Sequence, residues 1–117
     1  MASLDRTAII VRVLEAVGIV AAGQSANTAD TTLVGELVDS AHSRLLKLGL
    51  APFSLGAVPE WAQVPFRDYV AFDAAGSYGV GGERLADLAQ RRQLAERDLG
   101  RQTSGYRHNL PIKGSYF

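Results

Sequence analysis

Two opposite charges stand where the surrounding pattern is apolar. Asp73 follows Phe66 by seven residues, inside the large-residue arc of Pro65 to Tyr78, PFRDYVAFDAAGSY. Arg92 interrupts the stripe made by Leu85, Leu88, Ala89, Ala95 and Leu99. On the facing sides of consecutive antiparallel helices, the two would form a partly buried ion pair or share a small polar network, because a lone charge there is costly to desolvate. The alternative has Arg92 snorkelling outward and Asp73 at a wet helix end.

Other chemistry is sparse. His42 and His108 are the only histidines, one on a helix flank and one near the end of the chain, and no His/Asp/Glu group has metal-ligand spacing. No serine sits in a nucleophile-elbow context. Glu36 and Asp39 have the spacing of a carboxylate pair but read more simply as a solvated helix face. The run Gly79-Val80-Gly81-Gly82 is not a dinucleotide fingerprint, since Arg84 falls where the third glycine belongs and no strand precedes it. The sequence therefore gives no catalytic, cofactor or metal site, and the expectation is a protein that is not an enzyme.

Composition bounds the rest. A chain of 117 residues, 47% hydrophobic and 21% charged, is one globular domain. Absence of cysteine removes disulfides and thiolate chemistry, and favours an intracellular or virion protein over a secreted one. The longest apolar run, Ala8 to Gly23, is broken by Arg12 and Glu15 and is shorter than the ~20 residues a membrane span needs. It has no basic leader, so no signal peptide is read, and no membrane partner is expected. Net charge is zero, but residues 101–117 hold Arg101, Arg107 and Lys113 with no acid, leaving an acidic body. A basic tail on an acidic body suggests a tail meant for another surface; the alternative is an extension that lies on its own body or stays mobile.

These features need helices to position them. Ser3 or Asp5 can cap a first helix ending at Val17 before Gly18. It carries two stripes: Leu4, Ile10, Val11 and Leu14, and on the other side Ile9, Val13 and Ala16. The second stripe asks for a neighbouring subunit or for burial beneath another segment, and is the candidate inter-subunit face. Asn27 or Thr28 caps a second helix, Ala29 to Leu48, with Val34, Leu37, Val38, Ala41, Leu45 and Leu48 facing inward and Gly49 terminating it. Phe53, Leu55, Val58 and Trp61, set among Pro52, Gly56 and Pro59, predict a loop that lies across one end of the bundle. A third helix, apolar over most of its circumference, either starts at Pro65 or began at Pro59 and kinks there, with a start or sharp bend at Pro65 the favoured reading, and it is the interior element the others wrap. A fourth runs from Glu83 to about Arg101.

The predicted fold is all-α: a small four-helix bundle around a central apolar helix, with residues 1–101 as the body and 102–117 as an extended C-terminal docking arm. The arm, QTSGYRHNLPIKGSYF, shows no helical period and holds Gly105, Pro111 and Gly114. Tyr106, Arg107, His108, Leu110, Ile112, Lys113, Tyr116 and Phe117 give it the grip of a groove-docking or strand-adding ligand. A second function class, a small helical nucleic-acid-binding or regulatory protein, stays open. Against it, the basic residues do not line one helix and the body is acidic.

The order of these elements is familiar. A first helix ends in VLEAVGIVAAG, a long second helix closes in LLKLGL, and the crossover VPEWAQVP leads to an Ala-rich helix ending in AAGSYGV. A helix of LADLAQRR type and an extended C-terminus follow. The chain resembles the head-to-tail adaptor (head completion, or tail accessory) proteins of tailed bacteriophages, most closely those of short-tailed phages. The loop between the second and third helices is shorter than that family leads one to expect. The resemblance implies a viral structural subunit in a homo-oligomeric ring, usually a dodecamer, beneath the portal at the head-tail connector. Such a ring retains packaged DNA and presents a surface to the downstream tail protein. It further implies that the C-terminal arm docks on the portal protein or a neighbouring subunit, leaves non-specific contact with packaged DNA open, and places the protein in the virion after assembly in the host cytoplasm.

Overall fold

The computed structural model describes residues 3–21 and 23–108, with backbone alone for 104–108. Four helices follow in order: α1 (Arg6–Val17), α2 (Thr28–Lys47), α3 (Glu60–Ser77) and α4 (Gly82–His108). Strand pairing among the described residues is confined to one antiparallel bridge between Leu4 and Val58, which ties the approach to α1 onto the loop before α3.

Local chemistry sets the boundaries. The Asp5 carboxylate accepts from the Ala8 amide at 2.9 Å, and Asn27 Oδ1 accepts from the Asp30 amide at 2.7 Å, each satisfying an amide that the first helical turn leaves free. The ends of α1, α2 and α3 share one device. A left-handed glycine (Gly18, Gly49, Gly79) lets the next amide turn back, so that Ile19, Leu50 and Val80 donate to the carbonyls of Leu14, Leu45 and Ala75 at 2.9–3.0 Å. α1 has no basic residue in its last turn; Arg84 of α4 supplies one, donating to the Ala16 carbonyl at 3.0 Å.

α3 is the interior element, packing against α4, α1 and α2, whereas α4 packs along α3 and reaches α1 only through the Arg84 side chain. Phe66, Val70, Ala71, Ala74 and Ala75 of α3 are fully buried. Small side chains on one arc let neighbouring helices approach closely, while Phe66 and Tyr69 fill the wider gap on the other.

Four expectations change. α3 begins at Glu60, with Pro59 as its N-cap, and runs through Pro65 rather than starting there. Near a helix start a proline gives up only one internal hydrogen bond, that to the Trp61 carbonyl, and burial of Ala62 and Phe66 on either side favours continuity. Ile9 and Val13 have no exposed surface and Ala16 is half-buried against the same core, so the proposed inter-subunit face of α1 is consumed inside the chain. α1 packs on both α3 and α2, so the buried residues of both stripes are covered within the chain, Ile10 of the first lying against Gly35 of α2. Leu48 is 60% exposed because the helix ends at Lys47 and Leu50 turns inward instead. Finally, α4 continues to His108, seven residues past the expected end at Arg101. Thr103 is buried there, its hydroxyl donating to the Leu50 carbonyl at 3.4 Å, and this anchor extends the helix where periodicity alone predicts none.

Candidate functional site

The first candidate is the polar cluster where α2, α3 and α4 meet. Asp73 and Arg92 are brought together: Arg92 Nη1 donates to Asp73 Oδ1 at 2.7 Å. A third participant was not read from the sequence. Arg44, on the outer side of α2, donates through Nη2 to Asp73 Oδ2 at 2.8 Å and through Nε to the Tyr69 hydroxyl at 2.9 Å. The two guanidinium carbons lie 5.3 Å (Arg44) and 4.4 Å (Arg92) from the Tyr69 ring centroid, and Arg92 also sits 5.2 Å from that of Phe72. Tyr69 thus receives cations at its ring and its hydroxyl. The hydrogen bond to Tyr69, and then Asp73, raise the Arg44 pKa above its ordinary value. Asp73 is a quarter exposed, so the cluster is a partly solvated clamp rather than a buried charge. Its chemistry is adhesive: it pins three helices, and every donor aimed at the carboxylate is already used. The spacing signal that exposed Asp73 and Arg92 was a charge on an apolar face. Arg44 gave no such signal because it lies on a polar face and reaches inward through its length.

A second polar contact holds the C-terminal end of α3, five residues beyond Asp73. Tyr78 donates to Asp30 Oδ1 at 2.6 Å, and burial together with this bond pushes the phenol pKa up to about 12. His42, expected to be a flank residue, instead donates from Nε2 to the Phe53 carbonyl at 2.7 Å. Its ring lies 5.5 Å from that of Phe53 and 6.2 Å from that of Phe66. Phe53 stacks edge-on to Trp61 and Phe66, so the loop before α3 closes its end of the bundle as its composition predicts.

The second candidate is a groove of about 400 Å³ between the first half of α3 and the middle of α4. Trp61, Val64 and Pro65 form one wall and Leu94 and Ala95 the other, with Asp68, Asp98, Arg91 and Arg101 along the rim. Val64 is 54% and Leu94 44% exposed, two of the few large apolar side chains that the fold leaves in water. Asp68 is engaged by the neighbouring Arg67 through Oδ1 at 2.8 Å. Asp98, half-buried in the groove, has no ion-pair partner among the described residues.

Of the arm residues, Tyr106, Arg107 and His108 have helical backbone at the end of α4, and their side chains lie outside the described residues. Leu110, Ile112, Lys113, Tyr116 and Phe117 lie outside the described residues altogether. Among the described residues no three His, Asp or Glu side chains gather at metal distance, and no helix is long and apolar enough to cross a membrane. Set against protein-family models, curated proteins and solved structures, the chain matches none.

Proposed function

We propose that this protein is a non-catalytic structural subunit of the head-to-tail adaptor type, a portal-binding ring component of a tailed-phage particle. The observation that carries the reading is the placement of α4. This 27-residue helix rests on α3 through Leu88, Ala95 and Leu99 and on the loop after α2 through Thr103, then continues to His108. It sets the basic, aromatic segment that follows on the end of a braced rod. An arm mounted this way reaches a second chain while the four-helix body stays intact. With Ile9 and Val13 used internally, ring contacts fall to exposed apolar side chains such as Leu46 and Leu48, in a head-to-tail interface. Partners on this reading are the portal protein, further copies of this chain and the next tail component.

The test is association with a tailed-phage portal protein, chosen from the neighbouring genes where one is encoded there, followed by light scattering. The full chain should form a defined complex, and the variant with Leu110, Ile112, Tyr116 and Phe117 all replaced by serine should lose it. Equal binding by the two would remove the arm from the proposal. Salt-sensitive binding of the isolated chain to duplex DNA, without portal binding, would favour the nucleic-acid alternative instead.

A further inference from the structure

We infer that the outer ridge of α4 beside the α3–α4 groove is a two-fold contact between copies of this chain, in which α4 of one subunit lies antiparallel in the groove of the other. The inference does not depend on the adaptor reading; it concerns the free chain, and the mass of that chain alone tests it.

Asp87, Arg91, Leu94, Asp98 and Arg101 recur at intervals of four, three, four and three residues. At about 100° per residue they fall within an arc of about 80°, one ridge along the helix, set off from the buried face of Leu88, Ala95 and Leu99. Arg91, Leu94, Asp98 and Arg101 line the groove, and Asp87 is the next residue of the ridge beyond it. At the centre stands Leu94, 44% exposed, in a groove whose other wall offers Trp61, Pro65 and the 54% exposed Val64. Exposed apolar side chains gathered in a groove and rimmed by charge mark an interaction surface.

The order of the charges says what covers it. The ridge reads acid, base, leucine, acid, base, so turning it end over end about Leu94 exchanges every acid for a base. In an antiparallel pair of α4 helices centred there, Arg91 meets Asp98 of the second copy and Asp87 meets Arg101, each contact occurring twice. The two leucines meet at the axis, and Ala95, which lines the groove with a methyl alone, leaves room for them. Other alignments are penalised. A parallel pair in register sets each charge against itself, and sliding the antiparallel pair by half a heptad sets Arg91 against Arg101 or Asp87 against Asp98.

The charges are also available. Asp98 and Arg101 have no ion-pair partner among the described residues, and Arg91 pairs with Asp87, one turn back, at 3.0 Å with both side chains about half exposed. Across the groove Asp68 keeps one carboxylate oxygen that Arg67 does not take, a second acceptor for an incoming guanidinium. From Asp87 to Arg101 the ridge is ~21 Å long at about 1.5 Å per residue, so the contact is small and the dimer dissociates readily.

Sedimentation equilibrium of the full chain at low salt, loaded from about 1 μM to about 1 mM, is the experiment. The intact chain should pass from monomer to dimer within that range, with the emission of Trp61, its single tryptophan, changing in step. Far-ultraviolet circular dichroism tracks the helical body. Leu94→Asp, which sets two carboxylates at the axis, should stay monomeric, whereas Leu48→Asp, outside the groove, should dimerise as the intact chain does. Arg91→Glu and Asp98→Arg should each associate at least about tenfold more weakly, because each sets like charges opposite one another twice. Mixed in equal amounts, these two variants should recover a heterodimer, since both cross-contacts then join opposite charges. The mixing result stands whether or not Leu94→Asp folds. A chain that stays monomeric at every loading overturns the inference. So does a dimer that survives Leu94→Asp, one abolished by Leu48→Asp, or a mixture that associates no better than its components.

Discussion

Arg92 reaches Asp73 Oδ1 at 2.7 Å while Arg44 holds the other oxygen of the same carboxylate at 2.8 Å, so one acid on α3 couples the helices on either side of it. Removing Asp73 leaves two cations against Tyr69 with nothing between them. Asp73→Ala should destabilise the fold by about 1–3 kcal/mol, as expected for losing charged hydrogen bonds at a partly buried site. Arg44→Ala should cost less than ~1 kcal/mol, because Arg44 is nearly half exposed. In a double-mutant cycle by urea denaturation, Asp73→Ala and Arg92→Ala should couple by about 1 kcal/mol. Strictly additive effects would show that the contact contributes little.

The glycine ends of α1 and α3 separate backbone strain from crowding. Both residues are left-handed, so alanine should cost about 1–2 kcal/mol at either. A Cβ at Gly79 would meet open space, whereas one at Gly18 would lie 2.9 Å from Arg84 Nη2 and displace it from the Ala16 carbonyl. Thermal unfolding should therefore place Gly18→Ala below Gly79→Ala. The reverse order would mean that the Arg84 cap contributes nothing to α1.

Tyr78 sets a pH dependence on the alkaline side. Its pKa is pushed up to about 12 in the folded chain from an ordinary value of 10.0. The folded state thus holds the phenol proton more tightly than the unfolded chain does. The associated stability is complete below pH 10.0 and is lost as pH rises through about 12. Absorbance titration of the phenolates should show one late step that Tyr78→Phe removes, together with the alkaline decline in stability assigned to it.

The Arg6–Asp39 pair gives the opposite sign in acid. Hydrogen bonding to Arg6 holds the Asp39 pKa below its usual value, so its contribution is present above the ordinary carboxylate range and fades as pH falls through the lowered folded value. The effect is small because both side chains are about half exposed. Gly35 lets the pair form: a Cβ there would lie 2.7 Å from Arg6 Nη2. Gly35→Ala trades that exposed pair against helix propensity, worth about 1 kcal/mol. Its net change in stability should stay within ~1 kcal/mol, while the acid-dependent component shrinks.

Much of the fold was legible because it rests on local rules. Gly18, Gly49 and Gly79 marked their helix ends, Asn27 its helix start, and the apolar circumference of Phe66 to Ala75 marked the interior helix. What the sequence hid depends on tertiary reach. Arg44 looks solvated until its length carries it to Asp73, and His42 looks like a flank residue until the Phe53 carbonyl arrives. The second stripe of α1 carried no mark saying whether this chain or another would cover it. The extension of α4 past Arg101 follows from one buried threonine that periodicity does not flag. The groove was invisible for a related reason: it is a place where Val64 and Leu94, ordinary in sequence, fail to be covered by the described helices.

The central claim is the proposal that the C-terminal segment serves a second chain. An electron-microscopy reconstruction of this protein in complex with the proposed portal partner tests it directly. The account predicts residues 109–117 ordered against the portal or a neighbouring subunit, with Tyr116 and Phe117 in apolar contact there. Density showing that segment on its own subunit, or touching no second chain, would contradict it.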